Sequence, residues 1–159
     1  MRVRFTTVAT GVAASLAFLA AVPATSAQSA TRAACANGVQ RTTIGGKPAL
    51  RFCGPARATL HLGLQTIAFS GGRCIVAGRR FTVNLGAQVL ALGVPMPNYF
   101  GITTQSATPG PQSTAAVAVN ANGHGYVVTG KTVNLAPGLR HGTFGGTTAG
   151  MQVRGSFTC

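Results

Sequence analysis

The sequence predicts an all-β protein, an antiparallel β-sandwich that is immunoglobulin-like in general architecture and is linked by two disulfides. From residue 39 onward, apolar and polar positions alternate with a period of two, and no stretch keeps the period of an amphipathic helix. Turn-forming glycines, prolines and asparagines separate the alternating segments at short intervals. Four cysteines, an even number, follow an export signal, which is the usual context of structural disulfides.

The N-terminus has the pattern of a signal peptide. Arg2 and Arg4 form a short basic region, and residues 12–22 are almost entirely apolar but too short to span a bilayer. The small residues that end at Ala27 suit cleavage after that position. We therefore expect a secreted or cell-envelope protein with a signal peptide over 1–27, a flexible leader over 28–34, a single domain over 35–159 and no transmembrane segment in the mature chain.

Short strands account for the body of the chain. Alternation predicts that Leu60, Leu62 and Leu64 share one face, and that the last strand points Met151 and Cys159 inward. Residues 105–113, rich in Gln, Ser, Thr and Pro, predict a mobile loop. We expect about eight to ten strands, because some of the candidate segments should join into single strands. The candidate segments lie near 39–43, 49–53, 58–64, 66–69, 73–76, 80–86, 88–92, 99–104, 114–119, 126–129, 132–135 and 151–158.

The four cysteines allow three disulfide connectivities. We favour Cys35 with Cys53, because this pair flanks a local hairpin, and Cys74 with Cys159, because this pair ties a central strand to the end of the sequence. Zinc is the alternative ligand of four cysteines, but no two of them have the C-x₂₋₄-C spacing of a zinc site. We expect no metal.

The absence of Asp and Glu limits the chemistry. The chain carries 13 Lys and Arg residues and no acidic residue, so its formal charge is +13. Paired-carboxylate glycoside hydrolysis, EF-hand calcium binding, carboxylate-oriented Ser-His triads and Asp-held magnesium all need a side chain that this sequence lacks. We expect a protein that is not an enzyme and has no cofactor, with an unidentified hydrolase as a distant alternative.

Histidine and serine offer no catalytic pattern. His61, His124 and His141 are scattered rather than motif-spaced, so we interpret them as surface residues rather than metal ligands. Ser156 follows Gly155 but lacks the G-x-S-x-G pattern of a nucleophile elbow.

The basic residues are the remaining candidates for function. Because no acidic side chain can pair with them, their combined field should attract anions, and we take Arg73, Arg79 and Arg80 as a possible anion-binding group. The partner would be an anionic cell-wall polymer, lipid or nucleic acid. Specific nucleic-acid binding is not expected, because Tyr99 and Phe100 are the only adjacent aromatic pair and no basic residue is near them in sequence.

Four motifs carry a family resemblance: FSGGRC at 69–74, FTVNLG at 81–86, GYVVTG at 125–130 and VRGSFTC at 153–159. In this order they resemble the mycobacterial lipoprotein antigen family and uncharacterised secreted proteins of actinobacteria. The resemblance implies a β-sandwich at the cell surface, a Cys74–Cys159 bridge and no established catalytic residues. The chain lacks that family's lipid-attachment cysteine and has the additional Cys35 and Cys53. We expect a non-catalytic secreted or cell-envelope binding or structural module, with electrostatic polyanion binding as the alternative.

Overall fold

Two antiparallel sheets pack together in a computed structural model that describes residues 35, 37–91 and 94–159. The predicted signal peptide and leader lie outside these residues. Sheet I has the strand order β1-β2-β6-β7-β9-β10, with β5 also paired to β6, and sheet II has the order β4-β3-β13-β12-β11-β8. The strands are β1 Gly38–Ile44, β2 Lys47–Cys53, β3 Arg57–Leu62, β4 Gln65–Ser70, β5 Gly72–Ala77, β6 Arg80–Val89, β7 Tyr99–Thr104, β8 Gly110–Gln112, β9 Ala115–Ala121, β10 His124–Val127, β11 Thr129–Leu135, β12 His141–Thr148 and β13 Met151–Thr158.

This architecture confirms the predicted antiparallel sandwich. Two predicted segments merge into the long strand β6, whose first half pairs with β5 and whose second half pairs with β2. Two strands are not predicted from the sequence: β8, inside the loop 105–113, and the glycine-rich β12. The described residues hold thirteen strands, more than the roughly seven to nine of immunoglobulin domains, so the likeness is one of layers rather than of connectivity.

Phenylalanines from both sheets fill the space between them. Phe81 of sheet I lies 5.8 Å from Phe157 of sheet II, and Phe100 of sheet I lies 4.9 Å from Phe144, measured between ring centroids. These four rings are at most 4% exposed. Tilted rings at such separations attract one another beyond the simple burial of their area. The sandwich therefore has an aromatic core although the chain contains no tryptophan.

Predicted inward positions are confirmed within strands and fail at their ends. Leu60 and Leu62 are buried, whereas Leu64 is fully exposed in the turn between β3 and β4. Met151, the first residue of β13, is 41% exposed. Cys159 is half-buried and packs against the core. Period-two alternation predicts the side of a strand, but a turn residue has no sheet to face, which explains Leu64.

Two of the crossings between the sheets lie side by side. The link from β2 to β3 runs beside the link from β4 to β5, where the Gly72 N–H donates to Gly54 O at 3.2 Å and the Ala56 N–H donates to Gly72 O at 3.2 Å. Gly54 has φ +145°, and a Cβ there would collide with the Gly72 carbonyl. Only glycine allows the two crossings to lie this close.

Both predicted disulfides are present. Cys35 is bonded to Cys53 with a Cα–Cα distance of 5.4 Å, and Cys74 is bonded to Cys159 with a Cα–Cα distance of 5.5 Å. They close loops of 18 and 85 residues. On a chain-entropy argument such loops stabilise the fold by about 3 and about 4.5 kcal/mol.

Candidate anion-binding surface

Arg79 and Arg80 line two depressions that have Gln105 in common. Arg79 is in the turn between β5 and β6 and lines a depression of 440 Å³, while Arg80 begins β6 and lines a second depression of 570 Å³. Gln105, which follows β7, lines both of them. We call the two depressions together the Gln105 groove, and both arginines are exposed in it.

Lys131 brings a third positive charge to the groove. It belongs to β11 of sheet II, whereas Arg80 belongs to sheet I, and both line the larger depression. The sequence offers no signal for this arrangement, because Lys131 lines the same depression as Arg80 only through the packing of one sheet on the other. The remaining polar groups of the groove are hydroxyls that can donate hydrogen bonds to an anion, namely those of Thr103, Ser106, Thr108, Ser113 and Thr114.

Hydrogen bonds hold one wall of the groove in shape. The hydroxyl of Thr104, which is fully buried, donates to the Ser106 carbonyl at 2.6 Å. The side-chain amide of Gln112, 7% exposed, donates to the carbonyls of Thr108 at 2.9 Å and Gly110 at 3.2 Å. Two buried polar side chains thus find partners in the loop 105–113, as they need because an unpaired buried polar group is costly. The mobility of this loop stays a prediction.

Arg73 does not join the other two arginines. Its Cα is paired with that of Asn84 in the β5–β6 ladder, and Arg80 lies four residues farther along β6. At the usual rise per strand residue this separates the two arginines by about 13 Å along the sheet. Arg73 is half-buried and lines a different depression of 260 Å³ beside Cys74 and Cys159. Of the three predicted anion-binding residues, the structure brings together Arg79 and Arg80.

The histidines lie apart from one another. His61 in β3 and His141 at the start of β12 both point away from the core of sheet II, while His124 begins β10 of sheet I. The His61 ring nitrogen Nδ1 is hydrogen-bonded to the Thr66 hydroxyl at 3.0 Å. Within the described ranges, no three histidine or cysteine side chains gather in a group that could hold a metal ion.

The aromatic pair predicted from the sequence is buried. Tyr99 is 9% exposed and Phe100 is fully buried. The Tyr99 hydroxyl donates to Asn84 Oδ1 at 2.7 Å, and burial raises the pKa of this hydroxyl above its usual range. Neither ring is available to stack on a base.

The fold and the groove together define an all-β, disulfide-linked sandwich with a basic groove at the junction of its sheets. No family model, no curated protein and no solved structure matches the chain. The resemblance to the lipoprotein antigen family therefore stays a prediction. Two disulfides indicate an oxidising, extracellular environment. In the part of the chain that the structure describes, no helix is long and apolar enough to cross a membrane.

Proposed function

We propose that the protein is an exported, non-catalytic binding module that holds an anionic polymer of the cell envelope in the Gln105 groove. The observation that carries the proposal is that Arg80 and Lys131, from different sheets, line one depression, while Arg79 lines another that shares Gln105 with it. No acidic side chain exists in the sequence to neutralise them. Two disulfides and the predicted signal peptide support export into an oxidising compartment.

The composition of the groove favours a flexible polyanion over a stacked nucleic acid. Its lining combines cationic side chains with hydroxyls and small residues, and it contains no aromatic ring. Non-specific binding of single-stranded nucleic acids relies on aromatic platforms, and Tyr99 and Phe100 are buried. We therefore assign the groove to a polymer whose phosphate, sulfate or carboxylate groups accept hydrogen bonds from Arg, Lys and hydroxyl donors.

The proposal is tested by titrating the protein with long-chain inorganic polyphosphate in a series of salt concentrations. Because each contact releases counterions, the logarithm of the association constant should fall linearly with the logarithm of the salt concentration. The triple variant Arg79→Gln, Arg80→Gln, Lys131→Gln should bind about tenfold more weakly or worse, and its salt slope should drop by about one for each cation removed.

The matched control removes the same charge elsewhere. Arg41, Lys47 and Arg140 are exposed and line neither depression of the groove. The triple variant Arg41→Gln, Lys47→Gln, Arg140→Gln should keep most of the affinity. An equal loss in both triple variants would show that only net charge matters and would contradict the proposal, as would binding that does not change with salt.

A further inference from the structure

A second concave site lies beneath the β1–β2 hairpin and shares no lining residue with the Gln105 groove. It has a volume of 410 Å³ and is lined on one side by the hairpin. In the hairpin, Arg51 pairs with Gln40, and Ala49 pairs with Thr42, so Arg51 and Thr42 project from the same face. We call this site the Arg51 cleft.

The opposite wall of the Arg51 cleft is the glycine corner where the chain changes sheets. It includes Ser70 and Gly71 from the second crossing, Gly86 of β6, and Asn98 before β7. Gly86 has φ +82°, and a Cβ there would collide with the Asn98 carbonyl. The corner therefore presents backbone and short side chains, and it leaves the cleft open to a ligand.

The cleft carries one positive charge. Arg51 is the single basic residue among its lining residues, and no acidic side chain in the sequence can pair with it. A guanidinium presents N–H donors in a planar fork that matches the two oxygens of a carboxylate or phosphate. The hydroxyls of Thr42 and Ser70 add donors in the same lining. These groups suit one oxyanion rather than a polymer.

The rest of the lining is apolar. Ile44 is half-buried and shares the face of Thr42 and Arg51, and the Cys35–Cys53 disulfide adds a further apolar surface. The volume lies within the range of roughly 300 to 1,000 Å³ that is usual for small-molecule sites. A ligand that uses the whole cleft needs an apolar body attached to its anionic group.

We propose that the Arg51 cleft binds a small organic anion, in which one carboxylate or phosphate monoester meets Arg51 and a compact apolar body lies against Ile44 and the Cys35–Cys53 disulfide. The site is independent of polyanion binding, because it shares no lining residue with the Gln105 groove and requires apolar contact that a polyphosphate cannot make.

Four probes separate the two parts of the proposed ligand. Two probes, 1-naphthyl phosphate and 1-naphthoate, have both an anionic group and an aromatic body. The third probe, 1-naphthol, has the aromatic body without the charge, and the fourth, inorganic phosphate, has the charge without an apolar body. Both charged aromatic probes should bind, and whichever binds more tightly identifies the preferred head group. Naphthol should bind at least about tenfold more weakly because it lacks the charge-assisted hydrogen bonds to Arg51. Inorganic phosphate should bind at least about tenfold more weakly because it buries no apolar surface. Equal binding of naphthol, or of inorganic phosphate, would overturn the proposal.

The hairpin offers a matched pair of variants. Arg41 and Arg51 lie on its two strands, but Arg41 pairs with Leu50 and so projects from the opposite face. Arg51→Gln should weaken 1-naphthyl phosphate binding at least about tenfold, while Arg41→Gln, with the same charge change, should leave it unchanged. Equal effects would refute a role for Arg51.

A measurement on the unaltered protein keeps the proposal testable if Arg51→Gln does not fold. On adding 1-naphthyl phosphate, amide chemical-shift changes in NMR spectra should cluster at Thr42, Ile44, Arg51, Ser70 and Asn98. Changes centred on Gln105, or spread evenly over the surface, would overturn the assignment. The triple variant of the Gln105 groove should bind this probe normally, so failure of one proposal does not decide the other.

Discussion

Tyr99 shows how a single residue takes a role that its sequence position does not indicate. Its ring lies over Gly101 and 5.7 Å from the ring of Phe52, measured between centroids. Its hydroxyl is hydrogen-bonded to Asn84 on the neighbouring strand. The sequence around Tyr99 does not indicate that its ring is buried. Gly101, two residues later, has no side chain and leaves space for the ring to lie flat on the sheet.

Replacing Tyr99 by Phe tests this arrangement. Loss of the hydrogen bond to Asn84 should lower the free energy of unfolding by about 1 kcal/mol at pH 8. Burial raises the pKa of the Tyr99 hydroxyl, so the folded state holds its proton more tightly than the unfolded state. The stabilisation is therefore complete below the unfolded pKa, near 10, and is lost as the pH rises through the folded value.

Urea denaturation between pH 8 and pH 11 measures this effect. Wild type should lose stability across the upper part of that range, and Tyr99→Phe should lose less. Tyr126→Phe alters the other tyrosine of the chain and should retain the alkaline loss. If Tyr99→Phe and wild type show the same alkaline dependence, the Tyr99 hydroxyl is not its source.

The glycine-rich strand β12 depends on aromatic rings for its place in the sheet. Its sequence, HGTFGGTT, has three glycines and would not be chosen as a strand by propensity. In the sheet, Gly142 is paired with Phe157 of β13, and Phe144 is paired with Gly155. Each phenylalanine ring lies where a Cβ on the facing glycine would be. Such coverage of a glycine by an aromatic ring on the next strand compensates for the poor strand propensity of glycine.

Gly142→Ala and Gly145→Ala distinguish glycines that make room from glycines that do not. A Cβ at Gly142 would lie 2.6 Å from the Phe157 ring and from the Asn134 carbonyl, whereas at Gly145 the nearest atom would be 3.5 Å away. Thermal and chemical unfolding should show that Gly142→Ala destabilises the protein by about 1 to 3 kcal/mol, the usual effect of overpacking. Gly145→Ala, in the same strand, should be neutral or slightly stabilising. A similar loss in both would contradict the ring-over-glycine arrangement.

At the scale of the whole molecule, the absence of acidic side chains sets the charge of the surface and the response of stability to pH. Basic groups lie on the hairpin, on both sheets and in the groove, and none has a side-chain carboxylate as partner. Acid unfolding of most proteins begins with protonation of carboxylates that are paired or hydrogen-bonded in the native state. This protein has no carboxylate side chain whose protonation could destabilise the native state.

We therefore expect little loss of stability between about pH 7 and pH 3 while both disulfides are intact. Circular dichroism as a function of pH, with urea midpoints at each pH, measures it. A cooperative unfolding transition within that window would contradict the expectation. Reduction of the disulfides provides the control, since the reduced chain should unfold more readily at every pH.

Local chemistry was sufficient to predict eleven of the thirteen strands of the described residues and the Cys35–Cys53 pair. Side-chain alternation reports which face of a strand is buried, and Cys35 and Cys53 flank one hairpin, so these features depend on short stretches of chain. The strands β8 and β12 were not predicted because their stability depends on residues that are distant in the sequence. An example is the Phe157 ring of β13, which lies over Gly142 of β12. The exposure of Leu64 was not predicted because alternation does not mark where a strand ends.

The sequence by itself determined that this protein is basic, free of acidic side chains, disulfide-linked and built from antiparallel strands. Only the tertiary structure decided which cations line the same depression: Lys131 lines one with Arg80, and Arg73 lines a separate one. It also placed Arg51 opposite a glycine corner. The physical reason is that a binding site needs side chains from several strands, and their relative positions depend on sheet packing and register, which no single segment encodes.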